Sequence, residues 1–343
     1  MLRSRLEALL ARMRQQHLLV VGDGCLDMYW RADMQRSVLS RETPHFPLPV
    51  VEEQYSLGAG SNVAQNLAAL GCTVTMVTVV GQDWRGQVWM ECAQREGIET
   101  GGVIVDPTRW TPAYGKPIRM GIDGHMQEDA RLDFINRTPL SPATEAEVIR
   151  HLESWSGRVD AIIVADQVSH GVITDRVREA LGQVGVTHPT YVDSRDWGIR
   201  YRHAVVKPNT LEFAQALGLT AESVLQADES QLYQWAKPWI ARVDGAICLT
   251  RSNRGAVWMD SEGVESRAAV PVPGPIDPVG AGDSFLAAMA ASRTAGATNG
   301  EAMECGMLAA SVVLRKIGIT GAAEGHELLA AIVEGPTAVP RMS

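Results

Sequence analysis

The run Asp277-Pro278-Val279-Gly280-Ala281-Gly282-Asp283-Ser284-Phe285 joins a turn almost bare of side chains to a carboxylate. Main-chain N–H groups at such a turn converge on an anion, and the small-residue helix predicted from Leu286 to Ser292 adds the positive end of its dipole. A carboxylate inside an anion pocket repels what the pocket attracts, so its presence needs a reason. Asp283 reads either as a base that takes a proton from an attacking hydroxyl or as a first-turn complement to the helix dipole. The first reading is phosphoryl-transfer chemistry.

Three further clusters carry polar groups at the ends of predicted strands. In Lys207-Pro208-Asn209-Thr210-Leu211-Glu212, Asn209 and Glu212 share a helical face. An amide and a carboxylate so placed hold Mg²⁺ with its waters against nucleotide phosphates, or close a capping box. Leu249-Thr250-Arg251-Ser252-Asn253-Arg254-Gly255 offers hydroxyls and a guanidinium that suit a triphosphate, or an ordinary surface turn. Gly22-Asp23-Gly24-Cys25-Leu26-Asp27 lacks the third glycine of a dinucleotide fingerprint. Asp27, together with Asn62 in Gly58-Ala59-Gly60-Ser61-Asn62, suits the vicinal hydroxyls of a sugar, or a turn and a cap.

The elements that must position these groups alternate. Short apolar runs at Leu18–Gly22, Val74–Val80, Ala161–Val164, Thr190–Asp193, Ala204–Val206 and Ala246–Thr250 read as strands. Helices such as Ser61–Leu70, closed by Gly71, and Pro142–Trp155, capped by Ser141, lie between them. That is the pattern of an α/β fold with a parallel sheet covered on both faces. Residues about 29–56 and about 102–134 break the rhythm with polar and apolar alternation, including an Asp123-Gly124 hairpin signal. They read as a small antiparallel lid over the carboxyl ends of the parallel strands, where open α/β sheets place ligands. Residues 335–343 read as a tail.

Composition excludes several partners. The 343 residues carry a net charge of −9 and no Lys/Arg block, which argues against nucleic acid and anionic membrane. Cys25, Cys72, Cys92, Cys248 and Cys305 are widely spaced, as reduced cytoplasmic thiols are, and give no metal framework. No apolar run is long enough to span a bilayer. Arg3, Arg5, Arg12 and Arg14 allow a transit peptide, but Leu2, Leu6, Leu9, Leu10 and Met13 recur at helical spacing and favour a docked helix over residues 1–17.

Taken in order, these motifs resemble the ribokinase-like (PfkB) carbohydrate kinases, from about Leu18 to Leu329. The resemblance implies a three-layer domain over 18–334 and an ATP- and Mg²⁺-dependent kinase acting on a sugar or sugar phosphate. It implies Asp283 as catalytic base, with the N–H groups of Gly280, Ala281 and Gly282 as anion hole. Asn209 and Glu212 would organise Mg²⁺, Thr250, Ser252 and Gly255 would line the nucleotide site, and Asp277 takes the position linked to a monovalent cation such as K⁺. Asp27, Gly58, Gly60, Asn62 and Asp166 fall on the sugar side. Pairing into a homodimer through the lid is a further implication.

Within that family the N-terminal half is similar to the heptose 7-phosphate kinases, through Leu26-Asp27-Met28-Tyr29-Trp30, Asn62-Val63-Ala64-Gln65-Asn66, Lys116 with Arg119, and Arg131-Leu132-Asp133-Phe134. Lys116, Arg119 and Arg131 are then expected to meet a phosphate on the sugar, or to be solvated lid charges. The adenylyltransferase half of the bifunctional heptose enzymes is expected to be absent. Departures from the pattern are Ala59 for a Gly, Val279 for a Thr, His170 for a Lys, Arg195 in Asp193-Ser194-Arg195 for a Lys, and Met307 for an Asn. They keep open another small sugar, a nucleoside, or a silent sugar-binding role.

Overall fold

A computed structural model describes residues 1–332. In chain order the strands are β1 (His17–Gly22), β2 (Gly24–Asp33), β3 (Val50–Ala59), β4 (Thr73–Gly81), β5 (Glu99–Asp106), β6 (Ala113–Met120), β7 (Met126–Glu128) and β8 (Leu132–Phe134). They continue with β9 (Ala161–Asp166), β10 (Thr190–Ser194), β11 (Val205–Val206), β12 (Ala246–Thr250), β13 (Ala256–Asp260) and β14 (Gly263–Arg267).

The large sheet runs β14-β13-β12-β11-β10-β9-β1-β4-β5. Its strands are parallel from β12 to β5, and the β13–β14 hairpin closes one edge antiparallel. All six core strands expected from the apolar runs are present, with ends displaced by at most two residues. Their continuous apolarity follows from burial on both faces. Along β1, Leu18 and Val20 join one core cluster while Leu19 and Val21 join the other. Helices Gly60–Ala69, Ala281–Thr294 and Asn299–Val313 cover the first face, and Pro142–Ser156, Asp175–Gly185 and Glu229–Val243 the second. The N-terminal helix, Arg3–Met13, buries Leu6, Leu9, Leu10 and Met13 against the first cluster, whereas Leu2 stays 77% exposed.

The small sheet is β3-β2-β6-β7, with β8 also on β6. It departs from the sequence expectation twice. Glu99–Asp106 forms the parallel edge strand β5 of the large sheet, because an edge strand alternates polar and apolar residues just as a lid strand does. Within the small sheet β2 pairs β6 in parallel, while the remaining pairs are antiparallel. Asp123-Gly124 does lie in the β6–β7 turn, with Gly124 at φ +76°. Only Asp23 separates β1 from β2, and β3 runs straight into helix Gly60–Ala69, so the lid is welded to the core beside the sheet's carboxyl edge. The expected tail, 335–343, lies outside the described residues. Among the described residues no helix is long and apolar enough to cross a membrane, and all five cysteines are buried and unpaired.

Candidate active site

Helix Ala281–Thr294 starts without a side-chain cap, after Gly280 at φ +78°. A left-handed turn of this kind releases the first N–H groups of the helix. The N–H of Ala281 is spent on Pro278 O at 3.2 Å. That removes it from the expected anion hole. Among the described residues the N–H groups of Gly280, Gly282 and Asp283 meet no protein acceptor, which leaves these three, rather than that of Ala281, open to a ligand. Asp277 fastens this turn: its Oδ1 accepts from Val279 N–H and its Oδ2 from Gly318 N–H, each at 3.0 Å.

Both oxygens of Asp283 are met by amides. Asn62 Nδ2 donates to Oδ2 at 2.8 Å and Gln167 Nε2 donates to Oδ1 at 2.9 Å. Burial pushes the Asp283 carboxyl up to about 6; the two amides and Lys207 hold it down, and Asp193 adds to the rise. Lys207 is 3% exposed and pairs with Asp193 Oδ2 at 3.1 Å. Its ammonium faces the helix start, since a Cβ on Gly282 would stand 3.7 Å from Nζ. Burial lowers the Lys207 pKa, but Asp193, Glu212 and Asp283 overcome it and the net direction is up. The local sequence gives Lys207 no role beyond its place in the Lys207–Glu212 run and gives Gln167 none. The available signal was a lysine at a strand end inside an anion-binding motif.

Asn209 and Glu212 form the capping box: Asn209 Oδ1 accepts from the N–H groups of Leu211 and Glu212, and Glu212 Oε2 accepts from Asn209 N–H at 2.8 Å. Burial, then Asp193, pushes the Glu212 carboxyl up to about 7. Lys207, the Asn209 N–H and Arg195 hold it down without overcoming that burial. Thr250 bridges to Asn209 and donates its N–H to Pro208 O at 3.0 Å, which joins the Thr250–Gly255 loop to this corner. Ser252 lies at φ +52°. Gly255, at φ +85°, packs so tightly on the Arg267 carbonyl that a side chain would collide with it. The guanidiniums of this loop make helix-end contacts. Arg251 donates to the carbonyls of Val224, Leu225 and Ala227, and Arg254 to that of Leu225, which satisfies the end of helix Ala221–Gln226.

Among the residues expected on the sugar side, buried Asp27 pairs with Lys116 Nζ at 3.2 Å and accepts from Thr320 Oγ1. Lys116 also donates to Tyr29 OH at 2.9 Å. Gly58 backs onto the Asp27 carboxylate and Gly60 onto the backbone of Asp23. Ala59, between them, holds φ +47°, a conformation that favours glycine, consistent with the Gly expected there. The lid cations are each met by a carboxylate, with Arg119 on Asp129 at 2.7 Å and Arg131 on Asp133 at 2.6 Å. Asp166, expected on the sugar side, is committed inward to Ser194 and Tyr201, each at 2.8 Å, and to Arg178 at 3.3 Å. Its neighbour Gln167 faces Asp283 instead. Asp23 fixes that loop, accepting from the N–H groups of Gln167 (2.9 Å), Val168 (2.7 Å) and Val172 (2.7 Å).

A sequence profile for the pfkB family carbohydrate kinases matches residues 19–324. The bifunctional protein HldE of Geotalea uraniireducens is 30% identical over 336 residues, covering 96% of this chain. The chain spans 66% of that relative's own length. The D-β-D-heptose 7-phosphate kinase of Bordetella bronchiseptica is 32% identical over 317 residues, 90% of this chain and 93% of that protein. Among solved structures, Arabidopsis thaliana ribokinase complexed with ribose and ATP has a TM-score of 0.65 at 18% identity, over 92% of this chain and 98% of that one. Phosphofructokinase-2 from Escherichia coli in complex with substrates and products has a TM-score of 0.70 at 17% identity, with the same coverage of each chain. These two likenesses establish the ribokinase-like fold.

Proposed function

Since the chain belongs to the pfkB family of carbohydrate kinases, we propose that it transfers the γ-phosphoryl group of ATP to a hydroxyl of a sugar phosphate of the heptose 7-phosphate kind. The observation that carries this reading is Asp283, a carboxyl raised to about 6 at the uncapped start of a helix, beside the ammonium of Lys207. The sugar oxygen attacks the γ-phosphorus in line, the bond from phosphorus to the bridging oxygen of the leaving ADP breaks, and the hydroxyl proton passes to Asp283. Lys207 and the N–H groups of Gly280, Gly282 and Asp283 bind the charge that develops on the transferred group, where electrostatics supplies most of the catalysis.

Asn209 and Glu212 are the residues that would hold Mg²⁺, through its waters, and the raised Glu212 carboxyl suits a cation. Mg²⁺ held there would supply charge neutralisation for the nucleotide phosphates. At Asp277 both carboxylate oxygens accept main-chain N–H groups, from Val279 and Gly318, so this residue acts as a clasp on the turn.

Thr250, Ser252 and Gly255 border the nucleotide in this reading, and Asp27, Asn62 and Gln167 the sugar. The heptose assignment rests on the identity to heptose kinases over most of the chain. Arg195, which has no ion-pair partner among the described residues, is the cation we assign to the substrate phosphate, because Lys116, Arg119 and Arg131 are already paired. We also infer a cytoplasmic homodimer that covers exposed Val50, Val51, Met126 and Leu132 of the small sheet; sedimentation as a monomer at micromolar concentration would remove it.

The test is a panel of heptose 7-phosphate, fructose 1- and 6-phosphates, ribose and a nucleoside, assayed for ADP release with Mg²⁺ and with or without K⁺. Heptose 7-phosphate should give the highest kcat/KM. Preference for an unphosphorylated acceptor overturns the substrate class, and no transfer to any of them overturns the kinase reading of Asp283.

A further inference from the structure

Asn62 and Asn66 stand one turn apart on helix Gly60–Ala69, and they are 0% and 1% exposed. A buried side-chain amide has a donor end and an acceptor end, and its neighbours decide which way it points. The N–H of Ala323 donates to Asn66 Oδ1 at 3.3 Å, which turns Asn66 Nδ2 the other way. That nitrogen donates to the backbone carbonyl of Asn62 at 2.9 Å and to Asn62 Oδ1 at 3.1 Å. With its oxygen taken, Asn62 has only its nitrogen to offer at the far end, and it donates to Asp283 Oδ2 at 2.8 Å. Every link has a single polarity, set by a main-chain N–H that cannot flip.

We propose that Asn66 is a positioning residue for the base: by orienting the Asn62 amide it keeps a donor on Asp283 and holds that carboxylate ionised and aimed. The proposal rests on the reading of Asp283 as the base. Reversing Asn62 would set its oxygen against a carboxylate oxygen, a repulsion relieved only when Asp283 takes up a proton. The other groups facing Asp283 are Gln167 Nε2, the Lys207 ammonium and the Asp193 carboxylate, from three different elements. None of them touches Asn66, so a change at Asn66 reaches the base through Asn62.

The test replaces Asn66 by Leu, similar in shape but unable to donate or accept, in the full chain. The ionisation of Asp283 is followed by carboxyl ¹³C resonance, assigned with Asp283→Asn. A donor lost from a carboxylate raises its midpoint by about one unit, so the Asn66→Leu midpoint should rise by about that much. The acid limb of kcat with heptose 7-phosphate should move with it, and KM for ATP should hold within about twofold, the split expected of a group that acts on the chemical step. In an Asn62→Ala background the same substitution should shift nothing further. A midpoint unchanged in Asn66→Leu, or a full shift that persists without Asn62, overturns the relay. Should the Leu variant fail to fold by circular dichroism, Asn66→Ala, equally without a donor or acceptor, takes its place with the same expectation. The resonance needs no turnover, so a protein that phosphorylates nothing still decides the relay, and one that phosphorylates normally with an unmoved midpoint sinks the relay alone.

Discussion

Lys207 pairs with Asp193 at 3.1 Å across the carboxyl ends of adjacent strands β11 and β10, and both side chains are almost wholly buried. Burying an ion pair costs desolvation that the mutual attraction does not reliably recover. The pair is better explained by its surroundings. Asp193 raises the carboxyls of both Glu212 and Asp283, so three acids share one ammonium at the mouth of the helix Ala281–Thr294. In the proposed reading a cation carried in with a polyphosphate would complete this corner, with the Lys207 ammonium beside the phosphate.

Lys207→Met should therefore cut kcat by roughly 10²–10³-fold, the scale of one lost transition-state donor. Asp193 would be left as an uncompensated buried charge, costing about 3–5 kcal/mol of stability, so melting must be measured alongside. Lys207→Arg should recover part of both. Turnover within threefold of wild type in a folded Met variant would exclude Lys207 from the site.

For the base itself, Asp283→Asn keeps the shape and removes the proton acceptor. Turnover with a good acceptor should fall by about 10²–10⁴-fold, while ATP binding followed by fluorescence should be retained. Near-normal turnover would leave Asp283 as a helix-dipole complement only.

The same carboxyl sets the pH behaviour, and activity and stability move in opposite directions. As a base Asp283 must be ionised, so kcat should decline as pH falls through about 6. Its folded pKa is raised above the ordinary 3.8, so the folded state holds the proton more tightly than the unfolded chain. Its stabilising contribution is complete below 3.8 and is lost as pH rises through about 6. Glu212 acts in the same sense up to about 7. Asp283→Asn should accordingly melt higher than wild type at pH 8, with the difference vanishing near pH 4. A difference that grows toward acid would refute the sign.

What the sequence disclosed divides along a physical line. Runs such as Ala161–Val164 were readable because a strand covered on both faces has one composition along its length, and Ser141-Pro142 because capping is local chemistry. The Asn209–Glu212 box was legible for the same reason, with its metal alternative left open. Strand β5 was assigned to the lid because alternation reports a half-exposed strand without saying which sheet it edges. Contacts made over long separations were out of reach. Gln167 meets Asp283 across 116 positions, Thr320 meets Asp27 across 293, and the guanidinium of Arg251 turns to helix carbonyls that no local pattern couples to it.

Asp23 offers a test of the loop that carries Gln167. Its carboxylate takes three main-chain N–H groups between Gln167 and Val172 while burial raises it to about 6. Asp23→Ala leaves those donors orphaned, each at about 1–3 kcal/mol, so the variant should melt well below wild type. In the folded fraction kcat should drop while KM for ATP stays put, because the displaced group is the Gln167 amide. A change in KM for ATP with kcat intact would put this loop on the nucleotide side.

Gly280 lies where the proposed anion hole and the proposed amide relay meet. Its φ of +78° favours glycine, and an added Cβ would stand 3.0 Å from Asn62 Nδ2, closer than such contacts normally come. In Gly280→Ala the turn must shift or Asn62 must retreat from Asp283, and either change misplaces a group that acts on the transferred phosphoryl. Left-handed strain of this kind costs about 1–2 kcal/mol, so the protein should fold with a modestly lowered melting point. The loss in kcat should be far larger, about 10²-fold for a displacement on the ångström scale. The contrast is the test: activity lost only in proportion to folded protein would mean that the turn has slack, and that Asn62 is not held against the base by the close fit of Gly280.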